Sequence, residues 1–208
     1  PISRNQIMDV TNMKLTTLKR FMKPLLDEEF VVEAELGEST GGRPPTLYDV
    51  NPEAYYVVGI DISRTYWEIV LANLKMEILD LHRFPPPRCP RETVCQISEY
   101  LDRSLKQLSI DKSMLLGVGI GTVGPLNHKK GIILNPANFS NNAWVNVPVK
   151  DMVQQELQLP TIVDNGANAA VLAEHFFGIG RKTDNISYFH CGIGIRTGTI
   201  SSGTIIRA

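Results

Sequence analysis

Within "TIVDNGANAAVLAEHF", residues 161–176, Asp164, Asn165 and Asn168 crowd around Gly166. A carboxylate in such a turn can take a proton or accept a hydrogen bond. A side-chain amide offers both a donor and an acceptor, which suits a hydroxyl that needs both. The β-branched run before the turn and the alanine-rich apolar pattern after it predict a strand that hands over directly to a helix. In open α/β sheets such strand-end turns flank the ligand crevice, and the helix adds its free N–H groups. The centre of this turn, however, is a glycine, which supplies no acid, base or nucleophile. Asn165 and Asn168 also have a purely structural reading, as turn-forming and helix-capping residues.

The elements that must present this turn follow from the hydrophobic period. From about Asn51 the pattern is α/β. "YYVVGIDI" predicts a buried strand, "WEIVLANL" and "MEILDLHRF" two more, and "FPPPRCP" a connection that no helix or central strand accommodates. Val94, Ile97, Leu101, Leu105 and Leu108 mark one face of a helix, with Glu92 suited to its N-terminal partial charge. "MLLGVGIG" predicts the next strand, ending in the turn "TVGPLN"; residues 150–157 a short helix; and "PTIVD" the strand leading into the quoted turn. The order is β-β-β-α-β-α-β-α. The tail "ISYFHCGIGIRTGTISSGTII" loosely mirrors "YYVVGIDISRTYWEIVLANL", so the chain reads as one lobe plus the opening hairpin of a second. A lone hairpin of this kind is expected to pack poorly. Trp144 is expected to anchor the core.

The first ~45 residues follow a different pattern. Ser3 can cap a short helix that buries Ile7 and Val10, and "TNM" breaks it. A second helix is predicted from about Leu15 to Glu28, with Leu15, Leu18, Met22, Leu25 and Leu26 at helical spacing and a bend or end near Lys23, just before Pro24. "FVVEAELGESTGGRPPTLYDV" then reads as strand, glycine-rich turn, strand. Helix, turn, helix and hairpin in this order predict a winged helix-turn-helix. Between Val10 and Leu26 the charged residues are Lys14, Lys19, Arg20 and Lys23, all basic, whereas Asp27, Glu28, Glu29, Glu33, Glu35 and Glu38 reverse the sign beyond them. A solvated amphipathic helix would give the same charges. With the order of elements, Lys14, Thr16, Thr17, Lys19, Arg20 and Lys23 become candidate contacts to DNA phosphates and base edges, and Arg43 a contact from the wing tip.

A formal net charge of -1 over 208 residues excludes a uniformly basic nucleic-acid binder and leaves room for a local patch. Cys89, Cys95 and Cys191 form no CxxC or Cys/His cluster, and reduced thiols are the simplest reading. Cys191 is expected to be small and buried, and His190 structural. No signal-peptide pattern and no membrane-spanning apolar run is present, so the cytoplasm is the expected compartment and no membrane is an expected partner.

The ordered set "GGRPPTLYDVNPEAYYVVGIDIS", "GVGIGTVGPLN", "GIILNPANF…W", "IVDNGANAAVLAEHFFGIGR" and "HCGIGIRTG" resembles the ROK family (repressor, open reading frame, kinase) over essentially the whole chain. The resemblance implies an α/β fold: an N-terminal winged helix-turn-helix followed by an actin-like ATPase (ribonuclease H-like) lobe and the start of a second. The implied domains are a winged-helix DNA-binding domain over 1–50, a first ROK lobe over 51–182, and an opening hairpin of a second lobe over 183–208.

Members with the winged helix resemble sugar-responsive repressors; those without it are usually sugar kinases. Kinases of the family place an aspartate, two glycines and a threonine after the first strand, and a Gly-Thr-Gly-Ile-Gly loop later, where backbone N–H groups approach ATP phosphates. Here these read Asp61-Ile62-Ser63-Arg64-Thr65 and His190-Cys191-Gly192-Ile193-Gly194, with Arg196 following. At the turn quoted first such kinases read Asn-Asp-Ala-Asn, the aspartate being the base that takes the sugar hydroxyl proton. Gly166 stands in its place, and Asp164, two positions away across a turn, differs in direction and reach. Loss of a positioned base forfeits ~10²–10⁴ in rate, so no catalytic residue is assigned.

The resemblance gives sugar contacts to Asn138 and Asn165 and cleft-lining positions to Gly121 and Gly124; Asn138 equally suits loop chemistry. The family's second-lobe Glu-x-Gly-His segment and cysteine-rich zinc site do not occur before Ala208, so no metal ligand and no cofactor is assigned. The expected function is a sugar-responsive transcriptional repressor. It would bind double-stranded operator DNA as a homodimer and respond to a sugar or sugar phosphate. The enzyme alternative is an ATP-dependent sugar kinase with an N-terminal extension; a third reading is a remnant that binds DNA and no ligand.

Overall fold

The computed structural model describes residues 1–36, 44–86, 88–137, 139 and 142–207, in two compact units. The first comprises residues 1–56 and 72–78, the second residues 57–71 and 79–208.

In the first unit, β1 (Ile2–Ser3) runs straight into α1 (Arg4–Thr11), followed by α2 (Leu15–Asp27), β2 (Val31–Leu36) and β3 (Thr46–Val50). The strands form an antiparallel sheet in the order β1-β3-β2. Ser3 starts α1 with a capping box: its hydroxyl accepts the Gln6 N–H, and the Gln6 side chain accepts the Ser3 N–H at 2.8 Å. Asn12, left-handed, ends the helix. Leu18 of α2 and Tyr48 of β3 are the buried anchors of this small core. Ile7 is half-buried, but Val10 is 82% exposed, contrary to the expected pair. The eight-residue α1 packs on β1 and β3, and Val10, one residue from its end, projects beyond that contact. Nor does α2 stop near Lys23. It continues through Pro24 to Asp27, and because both Pro24 and Arg20 are exposed, the Arg20 carbonyl that loses its helical donor can meet water instead. Residues 72–78 group with this unit, and Lys75 Nζ lies 2.8 Å from Asp49 Oδ2. That hydrogen bond holds the Asp49 carboxyl below its ordinary range.

The second unit is built on β4 (Tyr56–Ile62), β5 (Trp67–Asn73), β6 (Ile78–Phe84), α3 (Pro90–Leu108), β7 (Leu115–Thr122), β8 (Leu126–Asn127), β9 (Ile132–Ile133), α4 (Val149–Leu157), β10 (Thr161–Asn165) and α5 (Gly166–Phe176). Its main sheet has the order β10-β7-β4-β5-β6, with β10 parallel to β7. The strand and helix order expected from the sequence holds. The two-residue β8 and β9, too short to leave a periodic signal, are additions. Along the central strands the side chains alternate. Val58, Ile60, Ile62, Val118 and Ile120 are buried, as are Ile97 and Leu101 of α3 and Val153 and Leu157 of α4. Gly59, Asp61, Gly119 and Gly121, the intervening residues, line an open cleft on the other face. Trp144 is buried as expected. Leu108, the last residue of α3, is 37% exposed, so the apolar stripe runs out at Leu105.

The chain ends in an antiparallel sheet of β11 (Ile186–Cys191), β12 (Ile195–Ser201) and β13 (Thr204–Ile206), three strands where a hairpin was expected. Its inner face is seated on α5. Ile200 is buried, and a Cβ at Gly198 would stand 2.1 Å from the Ala167 carbonyl oxygen, so strand and helix backbones touch where glycine removes the side chain. The outer face stays open, with Phe189 67% and Ile195 78% exposed. Expected poor packing therefore describes one face of the sheet and not the other.

Candidate functional site

The β10–α5 turn is held by its own side chains. Asn165 caps α5: its Oδ1 accepts the Ala167 N–H at 2.9 Å. Asp164 Oδ1 accepts the Asn165 N–H at 2.7 Å and Asn168 Nδ2 at 2.8 Å, and its Oδ2 accepts Arg207 Nε at 2.8 Å. Both oxygens of Asp164 are thus engaged in holding the turn and Arg207. Asn168 is buried and braces the turn. At position 166 the turn has room. A Cβ there would meet nothing closer than Asp61 Oδ1 and the Thr122 carbonyl, both at 3.7 Å, with Arg196 Nη1 at 3.8 Å.

Around the turn lies a cavity of about 1010 Å³, walled by β4, β7, α5 and the β11–β12 loop. Gly121 brings the β7 backbone to its wall, where a Cβ would stand 3.6 Å from both Asp61 Oδ1 and Gly166 Cα. Gly124 leaves space for the Asn165 amide nitrogen, 3.2 Å from its Cβ position. Of the expected sugar contacts, Gly121 lines the cavity, whereas Gly124 and Asn165 lie beside one another outside its lining. Asn138 lies outside the described residues. The Asn165 oxygen serves as the helix cap, and its amide nitrogen faces Gly124.

Two arginines line the same cavity. Arg64, in the β4–β5 turn, donates through Nε to the Ala137 carbonyl at 2.7 Å. Arg196, on β12, has an Nε shut off from solvent with no hydrogen-bond partner. In the sequence Arg64 stands where the family's kinases keep a glycine and Arg196 follows the second loop; their convergence needs the fold. Asp61 faces them, its carboxyl pushed up by burial and by Glu68, with Arg196 opposing. His190 is half-buried and lines the cavity, while Cys191, expected to be buried, is exposed because alternation on β11 turns it to the open face.

In the first unit Lys14, Thr16, Lys19, Arg20 and Lys23 are exposed along α2 and Thr17 is half-buried; Arg43 lies outside the described residues. Lys19 and Lys23 border a shallow hollow of about 150 Å³ with Arg4 and Tyr48, and Arg4 donates to the Tyr48 hydroxyl. Arg4, the first residue of α1, lies outside the basic run that starts after Val10, and only the fold brings it to Lys19 and Lys23. Among the described residues no group of three or more His, Cys, Asp or Glu side chains could hold a metal ion, and no helix is long and apolar enough to cross a membrane.

The sequence model of the ROK family matches residues 57–208. The xylose repressor of Caldicellulosiruptor bescii is 31% identical over 208 residues, 99% of this chain and 51% of that protein. The crystal structure of a ROK family transcriptional regulator, a homologue of the E. coli Mlc protein, matches 99% of this chain and 52% of its own at a TM-score of 0.78 and 20% identity. A Streptomyces griseus ROK glucokinase, solved with glucose and AMPPNP, matches 74% of this chain and 46% of its own at a TM-score of 0.64 and 27% identity. The fold is accordingly mixed α/β of the actin-like ATPase type. The chain spans about half the length of the relatives it matches.

Proposed function

This chain belongs to the ROK family, and from that premise we propose that it acts as a sugar-responsive transcriptional repressor. One observation carries the reading. Similarity to a xylose repressor extends over 99% of the chain, N-terminal unit included, whereas likeness to the glucokinase covers 74%. Residues 1–50 then act as a winged helix-turn-helix, 51–182 as the first ROK lobe and 183–208 as the opening of the second. The helix α2 enters the major groove with Lys14, Thr16, Thr17, Lys19, Arg20 and Lys23, and Arg43 contacts the backbone or minor groove from the wing. A homodimer sets two such helices on half-sites of double-stranded DNA about one helical turn apart or a multiple of it. The cleft holds a sugar near Gly121, Gly124, Asn138 and Asn165, and the ligand acts by favouring a state that fits the operator less well. Phosphoryl transfer is not part of the role, because Gly166 offers no base and Asp164 is already bound on both oxygens.

Fluorescence anisotropy against the DNA upstream of the coding sequence tests the first half. Binding should weaken steeply with salt. If Arg20→Ala with Lys23→Ala leaves it unchanged, the assignment of α2 is wrong. Calorimetry with a panel of pentoses and hexoses tests the second half.

The likeness to a glucokinase solved with glucose and AMPPNP supports a second reading, a sugar kinase with an N-terminal extension. Labelled sugar phosphate formed from ATP would establish it.

A further inference from the structure

The main sheet ends on β6, and among the described residues no strand pairs with the outer side of β6. Such an edge presents a row of unpaired N–H and C=O groups, which proteins usually guard with proline, lysine or another charge. The β6 sequence, Ile-Leu-Asp-Leu-His-Arg-Phe, contains no proline and no lysine. Two of its polar side chains are engaged within the chain. Asp80 accepts the Ser104 hydroxyl at 2.6 Å, and Arg83 is paired with Glu68 at 2.9 Å and lies over the Tyr66 ring. Leu79 and Leu81, by contrast, are 39% and 47% exposed.

Alternation along the strand restricts what can pair with it. Asp80 and His82 face α3, through Ser104 and Tyr100, so Leu79, Leu81 and Arg83 take the other face. A second copy of β6, antiparallel about a two-fold axis normal to the sheet, must set each residue opposite one of the same face. The axis therefore passes through a residue position. Leu81 is the midpoint of the seven-residue strand, and an axis there gives the longest overlap. Leu81 then meets the partner's Leu81, Asp80 the partner's His82 and Leu79 the partner's Arg83. The acid–imidazole pair occurs twice, once on each side of the axis. An axis at Asp80 would set two carboxylates against each other, and one at His82 two imidazoles; both shorten the overlap.

We propose that β6 is a self-association edge: two copies of this chain pair antiparallel through residues 79–83, with Leu81 on the two-fold axis, and join their main sheets into one. This rests on the homodimer of the proposed function and names the contact that forms it. One strand pair is small beside a standard interface of about 1,600 Å², so association in the micromolar range is expected.

Sedimentation velocity on the full chain across the micromolar range should show monomer giving way to dimer. Leu81→Lys sets two ammonium groups face to face on the axis and should weaken the dimer about tenfold. Because the side chain is half exposed, the circular dichroism spectrum should stay unchanged. A cysteine at the same position gives a test independent of that variant. Directly opposed Cα atoms lie about 4.5–5.5 Å apart, within disulfide reach. Mild oxidation should therefore cross-link Leu81→Cys above the level set by the native Cys89, Cys95 and Cys191, and should not do so for Leu79→Cys. A dimer that Leu81→Lys leaves intact and Leu81→Cys does not cross-link would overturn the edge pairing and keep the homodimer. Monomer at every concentration would overturn both and leave β6 open to a strand of another protein.

Discussion

Position 166 has space for a side chain, and that makes it a clean test at the scale of single residues. Gly166→Asp meets no contact closer than 3.7 Å at Cβ, so the variant should fold with an unchanged thermal midpoint. It should still form no sugar phosphate from ATP in a coupled assay, because Arg64 and Arg196 remain in the cleft. Asp61 supplies a second test. Burial and Glu68 raise its folded value above the ordinary 3.8, so the folded protein prefers it protonated. Its contribution to stability is full below 3.8 and is lost as pH rises through the raised value. Asp61→Asn should therefore unfold at a higher temperature than the parent at pH 7, with the gain shrinking as pH approaches 3.8, by thermal denaturation across pH. At this scale the sequence was half legible. The turn at Asp164–Asn168 and its capping alternative could be read from residue types alone. The meeting of Arg64 with Arg196 could not, since 132 positions of chain separate them and only the sheet order brings their loops together.

Among the elements, α3 and the α5–β12 contact carry the sharpest expectations. Ile97 is fully buried in the middle of α3, and Ile97→Ala should cost about 2–5 kcal/mol in chemical denaturation. Gly198→Ala places a methyl 2.1 Å from the Ala167 carbonyl oxygen and must push β12 off α5. A loss of about 1–3 kcal/mol is expected, with faster hydrogen exchange at the first turn of α5. Periodicity located α3 well because its four central apolar positions are all buried; it failed at Leu108 and Val10 because a helix end projects past its support whatever the spacing says. Of the bend or end expected before Pro24, the end does not occur. The proline deletes one helical hydrogen bond, yet the helix runs on to Asp27 with both Pro24 and Arg20 exposed.

For the molecule as a whole, on the proposed role, the near-neutral net charge of -1 would limit how DNA is held. Attraction must come from a few cations on one face rather than from the bulk field. The logarithm of affinity for upstream DNA should then fall with the logarithm of salt by about 0.9 per neutralised phosphate, and Lys23→Ala alone should lower that slope by about one. The overall α/β order was legible because each strand and helix carries its own period. The division into compact units was less so, since residues 72–78 of the β5–β6 connection group with the N-terminal residues, and no local pattern announces a long-range grouping.

The open space at Gly166 also bears on descent. A glycine codon ending in a pyrimidine becomes an aspartate codon by one base change, and a Cβ at this position meets nothing closer than 3.7 Å. On the proposed reading, reversion at this position alone would restore a base without restoring a nucleotide site. Regaining the chemistry would also require small residues where Arg64 and Arg196 now line the cleft. The arginines, more than the glycine, would make the loss of catalysis hard to reverse.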